Sequence, residues 1–263
     1  MQNRASPCNR NFNSRLNFFI EADIFDYLSR NKGNLMMKNK LLALFAGLLL
    51  TGAQPSAQAE GNSKAGQEKA ATCVGCHGDN GNSLVSTFPK LAQQHSSYLI
   101  KELQAFKSGV RQNAMMSAIA LSLSDEDMAD LAAYYSSQKI SVNSPPVLES
   151  DDDDEDDAEG ASADPSSEQL DALLALGSDL YRNGDLKREV SACIACHGPF
   201  GEGNKPAAFP ALHSQHADYL IQALSDFKAG TRSNNPDNIM HMIAKKMTDQ
   251  EIKAVAYHIS MMK

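Results

Sequence analysis

The chain has 263 residues, a hydrophobic fraction of 42% and no tryptophan, which is an ordinary composition for a folded globular protein. Its 32 acidic and 24 basic residues give a formal charge of −8, so we expect no nucleic-acid partner. The length allows one large domain or two modest ones.

The first 59 residues are predicted to lie outside the mature fold. Two lysines precede an apolar run at 41–50 that is too short to span a bilayer, and Ala57-Gln58-Ala59 is a small-x-small cleavage site. We therefore predict a cleavable secretory signal peptide over about 36–59. Residues 1–35 upstream of it are interpreted as an over-extended start, with a weakly structured polar leader as the alternative. The alternative is a signal segment that stays uncleaved as a membrane anchor.

The predicted mature chain, from Glu60 onward, is more acidic than the whole. It keeps 17 Lys or Arg against 29 Asp or Glu, a formal charge of −12, and eight of the acidic residues lie in one tract, 151–157 with Glu159. A tract of this charge cannot bury a core, so 141–167 is predicted to be a disordered acidic linker. The tract is either a solvated spacer or a surface that steers a basic partner at low salt.

The linker separates two halves that resemble each other. We predict a first domain at 60–140 and a second at 168–263. Aligned without a gap, residues 88–111 and 209–232 share 13 identities in 24 positions. This similarity indicates an internal duplication.

Each half is predicted to be helical, with almost no sheet, so the fold class is all-α. In the first half, apolar residues recur every three to four positions after Gln94 and stop at Gly109. A glycine there can adopt the left-handed conformation that ends a helix. The corresponding helix of the second half is predicted from Ala217 to Gly230.

Two later helices are predicted from the spacing of capping pairs, in which a hydroxyl side chain and an acidic side chain satisfy free amides at a helix start. These pairs are Ser124 with Asp127 and Thr248 with Glu251. The helices that they begin are predicted to end near residues 137 and 261.

Both halves contain the pattern Cys-x-x-Cys-His. The two copies are Cys73, Cys76 and His77, and Cys193, Cys196 and His197. Two thiols three positions apart can each form a thioether to a vinyl group of one porphyrin, and the adjacent histidine then lies beneath the iron. We therefore predict two covalently bound haem c groups, attached in the exported compartment.

Other uses of paired cysteines are a disulfide, a zinc site and a redox dithiol. None of these requires the histidine that follows the second cysteine in both copies. The repeated histidine therefore favours haem attachment over these alternatives.

A sixth iron ligand must come from elsewhere in each half. Residue types able to bind iron are Met115, Met116 and His95 in the first half, and Met240, Met242, His241 and His216 in the second. Met116 lies eight residues before Ser124, and Met240 lies eight before Thr248. Because these are the only two of the candidate methionines that occupy corresponding places before the caps, we predict Met116 and Met240 as axial ligands. The alternative is that both methionines are core filler.

Two prolines are candidates for supporting the predicted proximal histidines. Pro89 and Pro210 stand 12 and 13 residues beyond His77 and His197. A backbone carbonyl at such a place can accept the hydrogen of the second ring nitrogen and fix the orientation of the imidazole. The alternative is that both prolines serve only in turns.

Taken together, these motifs resemble the dihaem cytochrome c4 family of bacterial periplasms, over nearly all of the predicted mature chain. The resemblance implies two tandem class I cytochrome c domains whose haems lie close together. It implies that His77 and Met116 bind one haem iron and that His197 and Met240 bind the other. It also implies that the carbonyls of Pro89 and Pro210 hold the two histidines. Two features depart from the family: the acidic linker is longer than its usual connection, and His258 stands where the first half has Tyr134.

The resemblance also implies a function. The chain is expected to be a periplasmic carrier of a respiratory chain that passes single electrons toward a terminal oxidase. Its donor would be a membrane quinol-oxidising complex or another redox protein, with peripheral membrane association. Iron with both axial positions filled has no place for a substrate, so we expect no small-molecule substrate and no enzyme activity. The alternatives are a dihaem peroxidase and a tightly held electron-entry subunit of a larger enzyme.

Overall fold

The structure is a computed structural model that describes residues 61–145 and 165–263. These two ranges fall in one compact unit. The described residues form helices and no strand, with isolated β-bridges at Asp185–Val190 and Asn204–Phe209, which confirms the all-α prediction. Within the described ranges, no helix has the length and apolarity needed to cross a membrane. The predicted signal peptide and the acidic tract lie outside the described residues.

The helices of the first half are α1 Ser63–Lys69, α2 Ala71–His77, α3 Ser96–Ser108, α4 Ala114–Leu121 and α5 Asp125–Ser136. Those of the second half are α6 Pro165–Asn183, α7 Ile194–His197, α8 Ala217–Ala229, a 3-10 turn at Pro236–Asn238, α9 Ile239–Ala244 and α10 Asp249–Met261. In each half the first helix packs against the last one, α1 on α5 and α6 on α10. The helix of the aligned segment, α3 or α8, packs against the same last helix.

The crossing of the first and last helices depends on a glycine in both halves. A Cβ atom at Gly66 would lie 2.0 Å from the carbonyl oxygen of Asp130, and one at Gly177 would lie 2.1 Å from that of Ala254. Only glycine lets the two backbones approach this closely. The crossing fixes the frame on which the remaining elements of each half are placed.

The predicted helix boundaries are confirmed in both halves. α3 and α8 end at Gly109 and Gly230, whose φ angles of 77° and 78° are left-handed. α5 and α10 begin with capping boxes at Ser124 and Thr248. Each cap accepts the amide of the third helical residue and donates its own amide to the carboxylate of that residue, so two free amides are satisfied.

The edges of the predicted linker 141–167 differ from the prediction. α6 begins at Pro165, so the last residues assigned to the linker are helical, because proline is favoured in the first turn, where its missing N–H has no intrahelical partner. At the other edge, the Asn143 side chain donates to the backbone oxygens of Ser214 and Ser260, both at 3.0 Å. The segment that leaves the first half is therefore held against the second.

An aromatic side chain reaches the loop after the Cys-x-x-Cys-His motif in both halves, but from different helices. In the first half, Tyr134 on α5 donates to Asp79 O at 2.9 Å. In the second half, Tyr181 on α6 donates to Gly198 O at 2.6 Å, and its ring lies 5.7 Å from that of His258. The histidine at the position of Tyr134 is thus accompanied by a tyrosine from the first helix of its half.

Candidate functional site

A cavity of about 830 Å³ lies between the two halves and is lined by residues of both. α2 and α7 bring both motifs to its wall, namely Cys73, Cys76 and His77, and Cys193, Cys196 and His197. Met116 and Met240 line the same cavity. The structure therefore brings all eight predicted attachment and ligand residues to one interior space.

The four cysteines of the motifs are unpaired and half-buried. Burial raises the pKa of the Cys193 thiol to about 11, so this thiol is protonated at neutral pH and lacks the thiolate character of a redox dithiol. Among the described residues, no group of three or more His, Cys, Asp or Glu side chains is placed to hold a metal ion. The raised pKa of the Cys193 thiol argues against the redox-dithiol alternative.

The two motif histidines are buried, and each contacts a proline carbonyl. Nδ1 of His77 lies 2.8 Å from Pro89 O, and Nδ1 of His197 lies 3.0 Å from Pro210 O. A carbonyl oxygen only accepts, so Nδ1 carries the proton. Nε2 then keeps a free lone pair that can bind a metal. Burial lowers the pKa of both histidines, and the carbonyl contact opposes that effect. The resulting neutral imidazole is the form that binds iron.

The two predicted methionine ligands occupy similar local settings. Met116 on α4 and Met240 on α9 are half-buried. The backbone N–H of Met116 donates to Asn113 Oδ1 at 3.0 Å, and that of Met240 donates to Asn235 Oδ1 at 2.9 Å. An asparagine side chain thus holds the start of each methionine-bearing helix against the cavity.

The other candidate ligands are placed less favourably. Met115 lines the cavity but is 52% exposed, and Met242 is 47% exposed and lies away from it. The three histidine candidates contact backbone carbonyls instead, His95 with Glu202 O, His216 with Ser83 O and His241 with Phe227 O. None of these three histidines lines the cavity.

Two buried polar atoms on the cavity wall indicate that a haem fits there. Tyr135 Oη and Asn235 Nδ2 have no hydrogen-bond partner among the described residues, and both residues line the cavity. Buried polar atoms of native proteins are almost always paired. A macrocycle with polar substituents, attached at the neighbouring cysteines, would supply apolar area and polar partners at this wall.

A charged cluster closes the interface between the halves. Glu102 of α3 accepts from Arg111 Nη1 at 2.7 Å, from Arg232 Nη2 at 3.1 Å and from Asn234 Nδ2 at 2.7 Å. Glu102, Arg232 and Asn234 are all buried. The carboxylate therefore joins one arginine of its own half to two side chains of the other, which the sequence analysis did not predict.

Comparison with known proteins agrees with this arrangement. The family model described as Cytochrome c matches residues 63–139 and 174–263. Cytochrome c4 of Azotobacter vinelandii is 40% identical over 227 residues, which is 82% of this chain and 97% of that protein. The crystal structure of reduced recombinant cytochrome c4 from Pseudomonas stutzeri is similar with a TM-score of 0.65 and 38% identity, over 77% of this chain and 100% of that one.

A protein named for a different redox context is also similar. The thiosulfate dehydrogenase electron acceptor of Stutzerimonas stutzeri (strain A1501) is 35% identical over 192 residues, which is 73% of this chain and 79% of that protein. The similarity therefore extends to a protein that receives electrons from an enzyme.

Proposed function

This chain belongs to the dihaem cytochrome c4 family, and we propose that it carries electrons toward a terminal oxidase of a respiratory chain in the periplasm. It is a dihaem c-type cytochrome with two covalently bound haem c groups, and redox proteins are its partners. The predicted signal peptide at about 36–59 supports the periplasmic location. A membrane quinol-oxidising complex is the proposed donor, with peripheral association of the chain at the membrane.

We assign the haem contacts residue by residue. Thioethers would form at Cys73 and Cys76 in the first half and at Cys193 and Cys196 in the second. The proposed axial pairs are His77 with Met116 and His197 with Met240, and Pro89 and Pro210 support the histidines. Haem iron held by His and Met supplies reversible one-electron exchange and has no open position for a substrate. The chain's own contribution is to orient each imidazole and keep it neutral.

The observation that carries the proposal is the shared cavity. Both attachment motifs line a single interior space between the halves, so an electron that enters one half need not cross bulk water to reach the other. The side chains at this interface provide positioning and electrostatics, and we assign them no bond-making step.

A second candidate donor is a thiosulfate dehydrogenase, because one relative is named as the electron acceptor of such an enzyme. The purified, exported protein should be reduced by only one of the two donors as fast as that donor enzyme turns over. The reduced protein should then be reoxidised by membranes that contain the terminal oxidase. Absorbance changes of the haem and oxygen uptake would follow the two steps. Reoxidation no faster than with a cyanide-blocked oxidase would contradict the proposed acceptor, and rapid turnover of peroxide would favour the peroxidase alternative.

The proposed methionine ligands have matched controls in the chain. Met116→Ala and Met240→Ala should each remove one sulfur-to-iron absorption contribution and lower one reduction potential, because a methionine ligand raises the potential. Their neighbours Met115→Ala and Met242→Ala should leave spectrum and potentials unchanged. Loss of the absorption in a neighbour variant would show that the register is wrong.

A further inference from the structure

Two glutamines cross the interface at equivalent positions of the duplication. Gln94 and Gln215 each precede the histidine that begins the aligned helix of their half. The two residues are 6% and 5% exposed, which is unusual for glutamine. Burial of this kind requires that both the oxygen and the nitrogen of the amide have partners.

Each glutamine finds partners for both groups in the backbone of the other half, and its Oε1 also accepts the N–H of the histidine that follows it, at 2.9 Å for Gln94 and 3.1 Å for Gln215. Lys90 N–H donates to Gln215 Oε1 at 2.8 Å, and Gln215 Nε2 donates to Lys90 O at 2.9 Å. In the reciprocal pair, Ala211 N–H donates to Gln94 Oε1 at 2.9 Å, and Gln94 Nε2 donates to Ala211 O at 2.8 Å. The two contacts repeat one geometry with the halves exchanged.

The contacted amides belong to the peptide groups that hold the motif histidines. The N–H of Lys90 and the C=O of Pro89 are parts of one peptide unit, and Pro89 O accepts the Nδ1 proton of His77. A continuous chain therefore runs from the His77 ring through one peptide unit to Gln215 of the other half. The equivalent chain runs from His197 through the peptide unit that joins residues 210 and 211 to Gln94.

A peptide unit transmits polarisation between its two ends. Its C–N bond has partial double-bond character, so donation by the N–H increases the negative charge on the carbonyl oxygen. Hydrogen bonds in such a chain strengthen one another by perhaps 10–30% each in a low-dielectric interior. A stronger acceptor on Nδ1 makes the imidazole more basic and Nε2 a better electron donor to a metal.

We propose that Gln215 and Gln94 are positioning residues that act across the interface, Gln215 on His77 and Gln94 on His197. The inference rests on the proposed axial roles of the two histidines. Each half then tunes the reduction potential of the haem in the other half through its docked glutamine. A more basic histidine stabilises the oxidised iron, so removal of a glutamine should raise the potential of the haem in the opposite half.

The test uses the full, haem-loaded chain with Gln215→Leu and Gln94→Leu. NMR signals assigned to each haem would be followed through a redox titration. Gln215→Leu should increase the reduced-to-oxidised ratio of the first-half haem about threefold at a fixed ambient potential. At 59 mV per tenfold change, this corresponds to a rise of about 30 mV in the reduction potential of that haem. The second-half haem should not change. Gln94→Leu should give the reverse pattern.

Two further variants separate this tuning from simple loosening of the interface. Ser97→Ala removes another bond between the halves, from Ser97 Oγ to Lys205 O, and should shift neither potential. Gln215→Glu keeps an acceptor for the Lys90 N–H, so the NMR signal of the His77 Nδ1 proton should move opposite to its shift in Gln215→Leu, or not at all. A purely structural role would move that signal in the same direction in both variants.

The proposal is overturned if Gln215→Leu shifts the second-half haem, shifts both haems equally or shifts neither. The optical spectrum of each variant reports whether histidine and methionine still bind the iron. A parent spectrum without the features of histidine–methionine ligation would refute the proposed ligands. A variant that keeps those features but lacks the predicted shift in the opposite half would refute the tuning alone.

Discussion

Removal of the Glu102 carboxylate should be one of the most destabilising single changes at the interface. Glu102→Ala deletes three hydrogen bonds at 2.7–3.1 Å and leaves two guanidinium groups facing each other. The Arg111 side chain is 15% exposed and can turn toward water, whereas that of Arg232 is 7% exposed and cannot. Each arginine keeps a tyrosine partner, Tyr219 or Tyr98. One uncompensated buried charge then remains, which costs about 3–5 kcal/mol.

The assay is thermal unfolding of the haem-loaded protein, followed by circular dichroism. For a chain of this size, a loss of about 3 kcal/mol lowers Tm by about 6–12 °C. Glu102→Gln keeps a neutral acceptor but no compensating charge, so its Tm should lie between those of the parent and Glu102→Ala. The control is Asp249→Ala, which breaks the surface pair Lys228–Asp249, whose carboxylate side chain is 93% exposed, and should hardly change Tm. If the Tm of Glu102→Ala equals that of Asp249→Ala within experimental error, the buried-charge explanation is refuted.

Three other changes test the frame of the two halves. Gly66→Ala should destabilise the protein by about 3 kcal/mol in a denaturant titration, because the new Cβ overlaps the α5 backbone, whereas Gly75→Ala meets open space and should be neutral or stabilising. Ser124→Ala should cost about 1 kcal/mol in the same titration through loss of the cap. Burial, and to a smaller extent the positive charge of Arg182, lower the pKa of His258 below its usual 6.5. The unfolded chain therefore binds the proton more readily than the folded protein, so the folded state loses stability as the pH falls below about 6.5. His258→Phe should therefore show a smaller loss of Tm than the parent between pH 7 and pH 5, and an equal loss would contradict this assignment.

Much of the fold could be predicted because its determinants are local. Caps such as Ser124 and helix-ending glycines such as Gly109 act within one turn, so spacing along the chain is sufficient to find them. The Cys-x-x-Cys-His copies are equally local. The comparison of the halves added information that neither half contains alone, since the matched spacing before Ser124 and Thr248 selected one methionine from each group of neighbours.

The residues that the sequence analysis missed act over long distances in the chain. The contact between Gln94 and Ala211 joins positions 117 residues apart, and periodicity carries no information about such a pair. A signal was nevertheless present, because the dipeptide Gln-His is identical at 94–95 and 215–216. Glu102 gave no signal of this kind, since the aligned position in the second half is Ala223.

Two smaller differences have separate causes. Pro165 was interpreted as part of a linker, yet proline both interrupts helices and is favoured in their first turn. Tyr181 was not recognised as the aromatic side chain that accompanies His258, because it lies on the first helix of its half and Tyr134 lies on the last. Sequence alignment compares positions, whereas packing requires only that some side chain fill the space.

The reciprocal contacts at the interface have the symmetry of a homodimer within one chain. Gln94 and Gln215 make the same contact in opposite directions, as residues do across a two-fold axis. In a homodimer every substitution appears twice, so both sides of such an axis must change together. A tandem chain has no such restriction, and dilution cannot separate its halves. Glu102, which is aligned with Ala223, uses that freedom, because a single carboxylate serves both Arg111 and Arg232.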